Sequence, residues 1–327
     1  MDPTSPQSLP NTARVIDEWT ASGHHIGAQV YVSVGQQRVA DFAVGISRPA
    51  TEHAMAAPME RDTLMLWLSA SKPFAAVALA QLREQGLLDF DDAVARHIPE
   101  FARNGKSQIT LKHILTHTAG LRFIETGWPE VSWDQIIATL CDASPEANWP
   151  IGEKAGYSPF ASWFMLAEVV RRLTGEPFED YCRRKIFLPL GMNDTWFAMP
   201  AAQYADYGER IGILMNTFKK PHEPGGNDTE SAVVSCRPSG GGRGPVRELG
   251  RFYECLLAGG QVPGDAGGGH ILSAESVAEL IRPHRVGLFD HTFRHVMDWG
   301  LGFIVNSARH GVETVPYGYG AHAGPHA

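Results

Sequence analysis

Between positions 27 and 35, Ala28, Val30, Val32 and Val34 alternate with Gln29, Tyr31, Ser33 and Gly35. A period of two marks a half-buried strand, whose successive side chains point to opposite faces. A second apolar run at 39–44 follows Gly35-Gln36-Gln37, and two such runs joined by a short Gly-containing stretch predict a hairpin. A third run, 64–68, reads as a strand that gives way to a helical pattern at 74–82. From Ser69 to about Asp194 the apolar positions are spaced mainly for helices, including 111–115, 133–141 and 161–173. Later helices fall at 249–258 and 274–281, and 299–306 reads as a returning strand.

Strands, then helices, then strands again is the order of an α+β protein. We expect an antiparallel sheet formed by N- and C-terminal strands and flanked by helices, with a mainly helical insertion beside it. One domain over 1–327 is the reading, its α/β part about 10–68 and 230–327 and its helical part about 69–229. The Pro/Gly-rich stretches 221–226 and 263–269 read as surface loops, not linkers. There is no internal repeat.

Ser69-Ala70-Ser71-Lys72 lies where the third strand meets the first helix. Residues three apart share a helix face, so Lys72 can reach the Ser69 oxygen. A serine hydroxyl is a weak nucleophile until a neighbouring base takes its proton, and a partly buried amine can do so. Pro73 suits a first helical turn, so the helix is expected to begin near Ser69, at a positive helix end. By itself the tetrapeptide is weak, since S-x-x-K recurs by chance, and its plainer reading is a helix cap followed by a solvated lysine. Far downstream, Gly156-Tyr157-Ser158-Pro159 ends a loop marked by Pro150 and Gly152, and catalytic groups are often carried on such loops. A packing role for Tyr157 is the plainer alternative.

Taken together, Ser69-x-x-Lys72 and Tyr157-Ser158 resemble the serine β-lactamase and penicillin-binding-protein superfamily. The similarity is to its class C-like branch, which includes family VIII carboxylesterases, D-aminopeptidases and certain acyltransferases. Several flanking segments fit in order: 27–32, 86–92, 115–121, 189–195, Gly240-Gly241-Gly242 and 299–303. The resemblance covers about residues 25–325 and implies the β-lactamase/transpeptidase-like fold. It implies further that Ser69 is the nucleophile of an acyl-enzyme and that Lys72 and Tyr157 share the proton work, the lysine's charge lowering the tyrosine pKa. A small-molecule ester or amide is the implied substrate, with no metal or organic cofactor.

Two departures shape this expectation. Pro159 stands where the family often has an asparagine whose amide orients a β-lactam side chain, which favours esterase-like members over β-lactamases. The family's third element, His/Lys-x-Gly on a strand beside the serine, is matched in letters by His322-Ala323-Gly324. Its Pro/Gly-rich surroundings read as loop, so His322 and Gly324 are weak candidates and the C-terminal part is expected to be missing. A small or medium carboxylic ester is the expected substrate; a β-lactamase, a D-amino-acid peptidase or acyltransferase, and an inactive binding protein are the alternatives.

Composition narrows the rest. The 327 residues, 43% hydrophobic, suffice for a full core. A net charge of −8 with no basic run argues against nucleic acid or an anionic membrane as partner. The start, Met1-Asp2-Pro3-Thr4-Ser5-Pro6, lacks the features of a signal peptide, and no apolar stretch is of membrane-spanning length; a cytoplasmic location is expected. Cys141, Cys182, Cys236 and Cys255 are scattered without a C-x-x-C pair and read as free buried thiols. His113 and His117 have metal-ligand spacing, but position 114 is isoleucine where a zinc hydrolase needs glutamate. His117 reads instead as a tie between its helix end and the loop at Gly120. No G-x-S-x-G is present, and 240–244 lacks the Lys-Ser/Thr of a phosphate loop.

Overall fold

The computed structural model describes residues 2–52, 54–216, 221–305 and 319–320. Helix α1 (Pro10–Ala21) precedes a hairpin of strands β1 (Gly27–Val34) and β2 (Gln37–Arg48). Gly35 and Gln36 both take positive φ, 56° and 63°, as a two-residue turn must if it is to match the twist of its strands. Strand β3 (Ala57–Pro58) completes an antiparallel sheet of order β1-β2-β3.

The strand expected at 64–68 is shorter than its apolar run. Only β4 (Met65–Leu66) forms a strand, paired with β5 (Arg243–Gly244), while Leu64 makes a lone bridge to Ile211. Leu68 has φ 48°, which ends the extended backbone. A 3-10 turn, Leu68–Ser71, then leads into α2 (Lys72–Glu84), so the α-helix starts three residues later than expected. Every residue of α2 from Lys72 to Leu82 is buried, as befits a helix that is apolar nearly all round.

Helices α3 (Leu111–Leu115), α4 (Trp133–Asp142), α5 (Ser162–Thr174), α6 (Val246–Leu257) and α7 (Ala274–Ile281) lie close to their predicted positions. Thr110 with His113, and Ser132 with Gln135, form capping boxes at α3 and α4. Helices α5 and α7 pack against α2, where Ala75, Ala76, Ala78 and Ala80 keep its surface low. Phe74 anchors an aromatic cluster, its ring 4.2 Å from Phe252, 5.1 Å from Phe187 and 6.0 Å from Phe197.

The polar side of β1 is not a solvent face. Helix α6 lies on it: Gln29 Oε1 accepts from the Val246 N–H at 3.1 Å, and the Tyr31 hydroxyl donates to Glu254 at 2.7 Å. A Cβ at Gly250 would stand 2.3 Å from the Tyr31 ring, so the close approach depends on that glycine. The α+β class, with an antiparallel sheet, flanking helices and a helical middle, is as expected, but among the described residues that sheet joins N-terminal strands alone, and the C-terminal strands form separate two-stranded pairs.

At 299–306 the expected strand gives way to a reversal. Trp299 bridges both Arg285 and Ile304, and Gly302 sits at φ 81° with no room for a Cβ against Ala76. What remains is β6 (Ile304–Val305), paired with β7 (Tyr319–Gly320). All four cysteines are buried free thiols. Among the described residues no helix is long and apolar enough to cross a membrane.

Candidate active site

Ser69 lies in the 3-10 turn between β4 and α2, and Lys72 opens α2, so the strand-to-helix junction presents both side chains together. The Lys72 amine is 3.2 Å from Ser69 Oγ. The same amine donates to the carbonyls of Pro159 and Ser239, each at 2.9 Å. Tyr157 has its hydroxyl hydrogen-bonded to Ser69 Oγ, and its ring lies 4.9 Å from the Lys72 amine. The three residues that the sequence singles out are therefore one hydrogen-bonded cluster.

Burial shifts both titratable partners of Ser69. Lys72 is 2% exposed, and loss of solvent, aided by the charge of Arg237, holds its pKa well below the usual lysine range. Tyr157 is pushed up to about 12 by burial, with the Asp290 carboxylate adding to the rise and the Ser69 hydrogen bond opposing it. This reverses the expectation that the lysine's charge lowers the tyrosine. Burial, the Ser69 hydrogen bond and the Asp290 carboxylate set the tyrosine, and burial works against the lysine's charge.

Tyr157 is held by its backbone as well as its ring. Its N–H donates to both oxygens of buried Asp290 at 3.0 Å, and its carbonyl accepts from the Thr292 hydroxyl at 2.9 Å. Asp290 in turn pairs with buried Arg285 at 3.1 Å. The ring packs 4.6 Å from Phe293 and 4.7 Å from His117.

His117 does more than end a helix. It takes φ 59°, its carbonyl accepts from Gly156 N–H, and its Nδ1 accepts from Ser158 N–H at 3.0 Å. The loop it holds is thus 156–158, which carries Tyr157, in place of the expected tie to Gly120. Burial keeps the ring neutral, far below its ordinary pKa. His113 Nδ1 accepts from Thr110 N–H in the α3 capping box. Among the described residues no group of three or more His, Cys, Asp or Glu is arranged to hold a metal ion.

The glycine run borders the site. Gly242 N–H donates to Ser71 Oγ at 3.0 Å, and the Leu68 backbone comes within 3.4 Å of where a Gly240 Cβ would be. Sequence reasoning missed the Pro159 and Ser239 carbonyls, Asp290 and Arg237. Backbone acceptors have no side-chain signature, and the two charged residues lie far along the chain from Ser69. His322 and Gly324 lie outside the described residues. A cavity of about 680 Å³ includes none of Ser69, Lys72 and Tyr157; it is lined by partly paired groups such as Tyr31 with Glu254 and Arg38 with Asp41.

Comparison with known proteins bears on the fold and the family. The Beta-lactamase family model matches residues 12–325. A penicillin-binding protein of Bacillus subtilis is 30% identical over 145 residues, 42% of this chain and 31% of that protein. Esterase EstB of Burkholderia gladioli is 29% identical over 279 residues, 76% of this chain and 67% of that protein. The crystal structure of a family VIII carboxylesterase superposes with a TM-score of 0.75 at 24% identity, covering 98% of this chain and 86% of the other. The chain thus spans about a third of the first of these curated relatives and two thirds of the second.

Proposed function

The chain belongs to the beta-lactamase family, and from that premise we propose that it is a serine hydrolase cleaving small or medium carboxylic esters through an acyl-enzyme on Ser69. The observation that carries the proposal is the position of Ser69 Oγ, bonded on one side to the Lys72 amine and on the other to the Tyr157 hydroxyl. A neutral amine has two N–H donors and one lone pair. The Pro159 and Ser239 carbonyls take the donors, which leaves the lone pair for the Ser69 proton.

Attack then forms the bond from Ser69 Oγ to the ester carbonyl carbon while the serine proton passes to Lys72. Collapse expels the alkoxide, which takes a proton from Lys72 by way of the Tyr157 hydroxyl and departs as the alcohol. In deacylation water attacks the acyl carbon, gives its proton to Lys72, and Ser69 leaves with that proton restored. Lys72 is the base in this scheme and Tyr157 the relay.

Pro159 supports an ester over a β-lactam, since it offers no side-chain amide to the substrate. The likeness to esterase EstB supports the same choice. The test is turnover of short-chain p-nitrophenyl esters beside nitrocefin. We expect faster ester cleavage, abolished in Ser69→Ala, and stoichiometric labelling of Ser69 by a fluorophosphonate. Faster turnover of nitrocefin than of every ester would overturn the ester assignment; an unlabelled Ser69 would favour an inert binding protein.

A further inference from the structure

Lys72 has a neighbour of like charge that its mechanism does not use. Arg237 is 7% exposed, yet no carboxylate bonds to it among the described residues. Its guanidinium donates to Asn227 Oδ1 and to the Gly240 carbonyl, both at 3.0 Å, and its Nε has no partner. The group stacks 4.5 Å from the Trp128 ring and 5.7 Å from Phe160. A buried cation without a counter-ion is costly to hold. A fold that keeps one beside its nucleophile calls for a reason.

The location supplies it. Gly240 follows Ser239 and Phe160 follows Pro159, and those two carbonyls are the ones that accept from Lys72. Arg237 therefore leans on both segments that clasp the amine, one residue removed from each. We infer that Arg237 is a positioning residue whose unneutralised charge keeps Lys72 a free amine, ready to act as base. This rests on the proposed role of Lys72.

The other groups around Lys72 leave that task to Arg237. Tyr157 and His117 face it from the 156–158 loop and the end of α3, and both are held neutral by burial. Asp290, behind Tyr157, is taken up by Arg285 and by the N–H groups of Tyr157, Thr292 and Phe293. Arg243, a buried cation beside Arg237, donates to the Asn227 carbonyl and is itself opposed by the charge of Asp228.

The rate of fluorophosphonate labelling of Ser69, followed against pH, reads the base without a substrate. Arg237→Gln should move the acid midpoint up by on the order of one pH unit, the scale of one close charge. Arg237→Lys should leave it in place. Asn227→Asp sets a carboxylate against Arg237 while sparing the packing, and should also move the midpoint up, so it decides the matter even if Arg237→Gln fails to fold. A midpoint unmoved in Asn227→Asp, or moved as far by Lys as by Gln, overturns the inference. Failure of the wild-type protein to label at any pH overturns the hydrolase reading and this inference with it.

Discussion

Two buried lysines differ in how their amines are satisfied, and the difference bears on the proposed role of Lys72. Lys106 reaches the carbonyls of Arg103, Cys141 and Ala143; three acceptors occupy the three N–H donors of an ammonium and leave no lone pair. Lys72 has two carbonyls and a hydroxyl, which is the pattern of a base. We expect Lys72→Ala and Tyr157→Phe each to lower kcat by at least about 10²-fold, whereas Lys106→Met should lower stability and leave kcat within a few-fold. The pH profile follows from the same groups. The proposed scheme needs Lys72 unprotonated, so kcat/KM should rise with pH through a midpoint below the ordinary lysine range. It also needs Tyr157 protonated, and with that group at about 12 no fall is expected until strongly alkaline pH. A descending limb between pH 8 and 10 that persists in Tyr157→Phe would assign the relay elsewhere. The meeting of Ser69, Lys72 and Tyr157 was legible in the sequence, through the local spacing of the first two and the family resemblance that links them to the third. Their acceptors were not, since any residue can supply a carbonyl.

His117 gives a stability prediction with a definite sign. In the fold its Nδ1 must accept from Ser158 N–H, and burial holds the ring neutral. The unfolded chain binds a proton there below about 6.5. The unfolded state then carries more protons than the folded one, and stability falls as pH falls from that value toward the folded-state pKa. Between pH 7.5 and 5 the urea midpoint should drop, and drop less in His117→Gln, whose side-chain carbonyl can still accept. His25, His113 and His284, also lowered by burial, act in the same direction and leave a residual slope. An equal slope in the variant would remove His117 from this account.

At the scale of elements, helices were read well and short strands were not. The amphipathic patterns behind α4, α5 and α7 carry enough turns to fix their bounds. The run at 64–68 is apolar throughout, yet most of it serves core and turn: Leu64 bridges Ile211, Trp67 packs at 5.9 Å on Phe74, and Leu68 turns the chain. Apolar runs report burial, and burial does not say which backbone pairs. The junction formed there has a testable weak point. At Gly242 a Cβ would stand 2.7 Å from Ser71 Oγ and 3.2 Å from Ser71 Cβ, while the Gly242 N–H bonds that same oxygen. Gly242→Ala must therefore displace the turn that presents Ser69. We expect about 1–3 kcal/mol of destabilisation from overpacking, together with a drop in kcat well beyond what the unfolded fraction explains. Activity in step with the folded fraction would show that the turn absorbs the methyl group.

At the scale of the whole molecule, the sequence divides into an α/β part and a helical part, and the core decides whether that division is physical. One contiguous apolar cluster runs from Trp67 and α2 through Ile114, Leu140 and α5 to Phe252, Leu280 and Val305. It therefore includes side chains from both parts. Helix α2 lies at its centre, meeting α5 from the helical part and α7 from the C-terminal part. Neither part can keep this core if the other unfolds, because α2 would lose one wall. A chain of this length can populate intermediates, but a shared core couples its halves. We therefore predict one unfolding transition, with tryptophan fluorescence, far-UV circular dichroism and fluorophosphonate labelling of Ser69 lost at the same urea concentration. Trp163 in α5 and Trp299 in the C-terminal part are both buried, so fluorescence samples both halves. A transition in which labelling and the C-terminal tryptophan signal vanish while most helical signal survives would establish two units and make the division real.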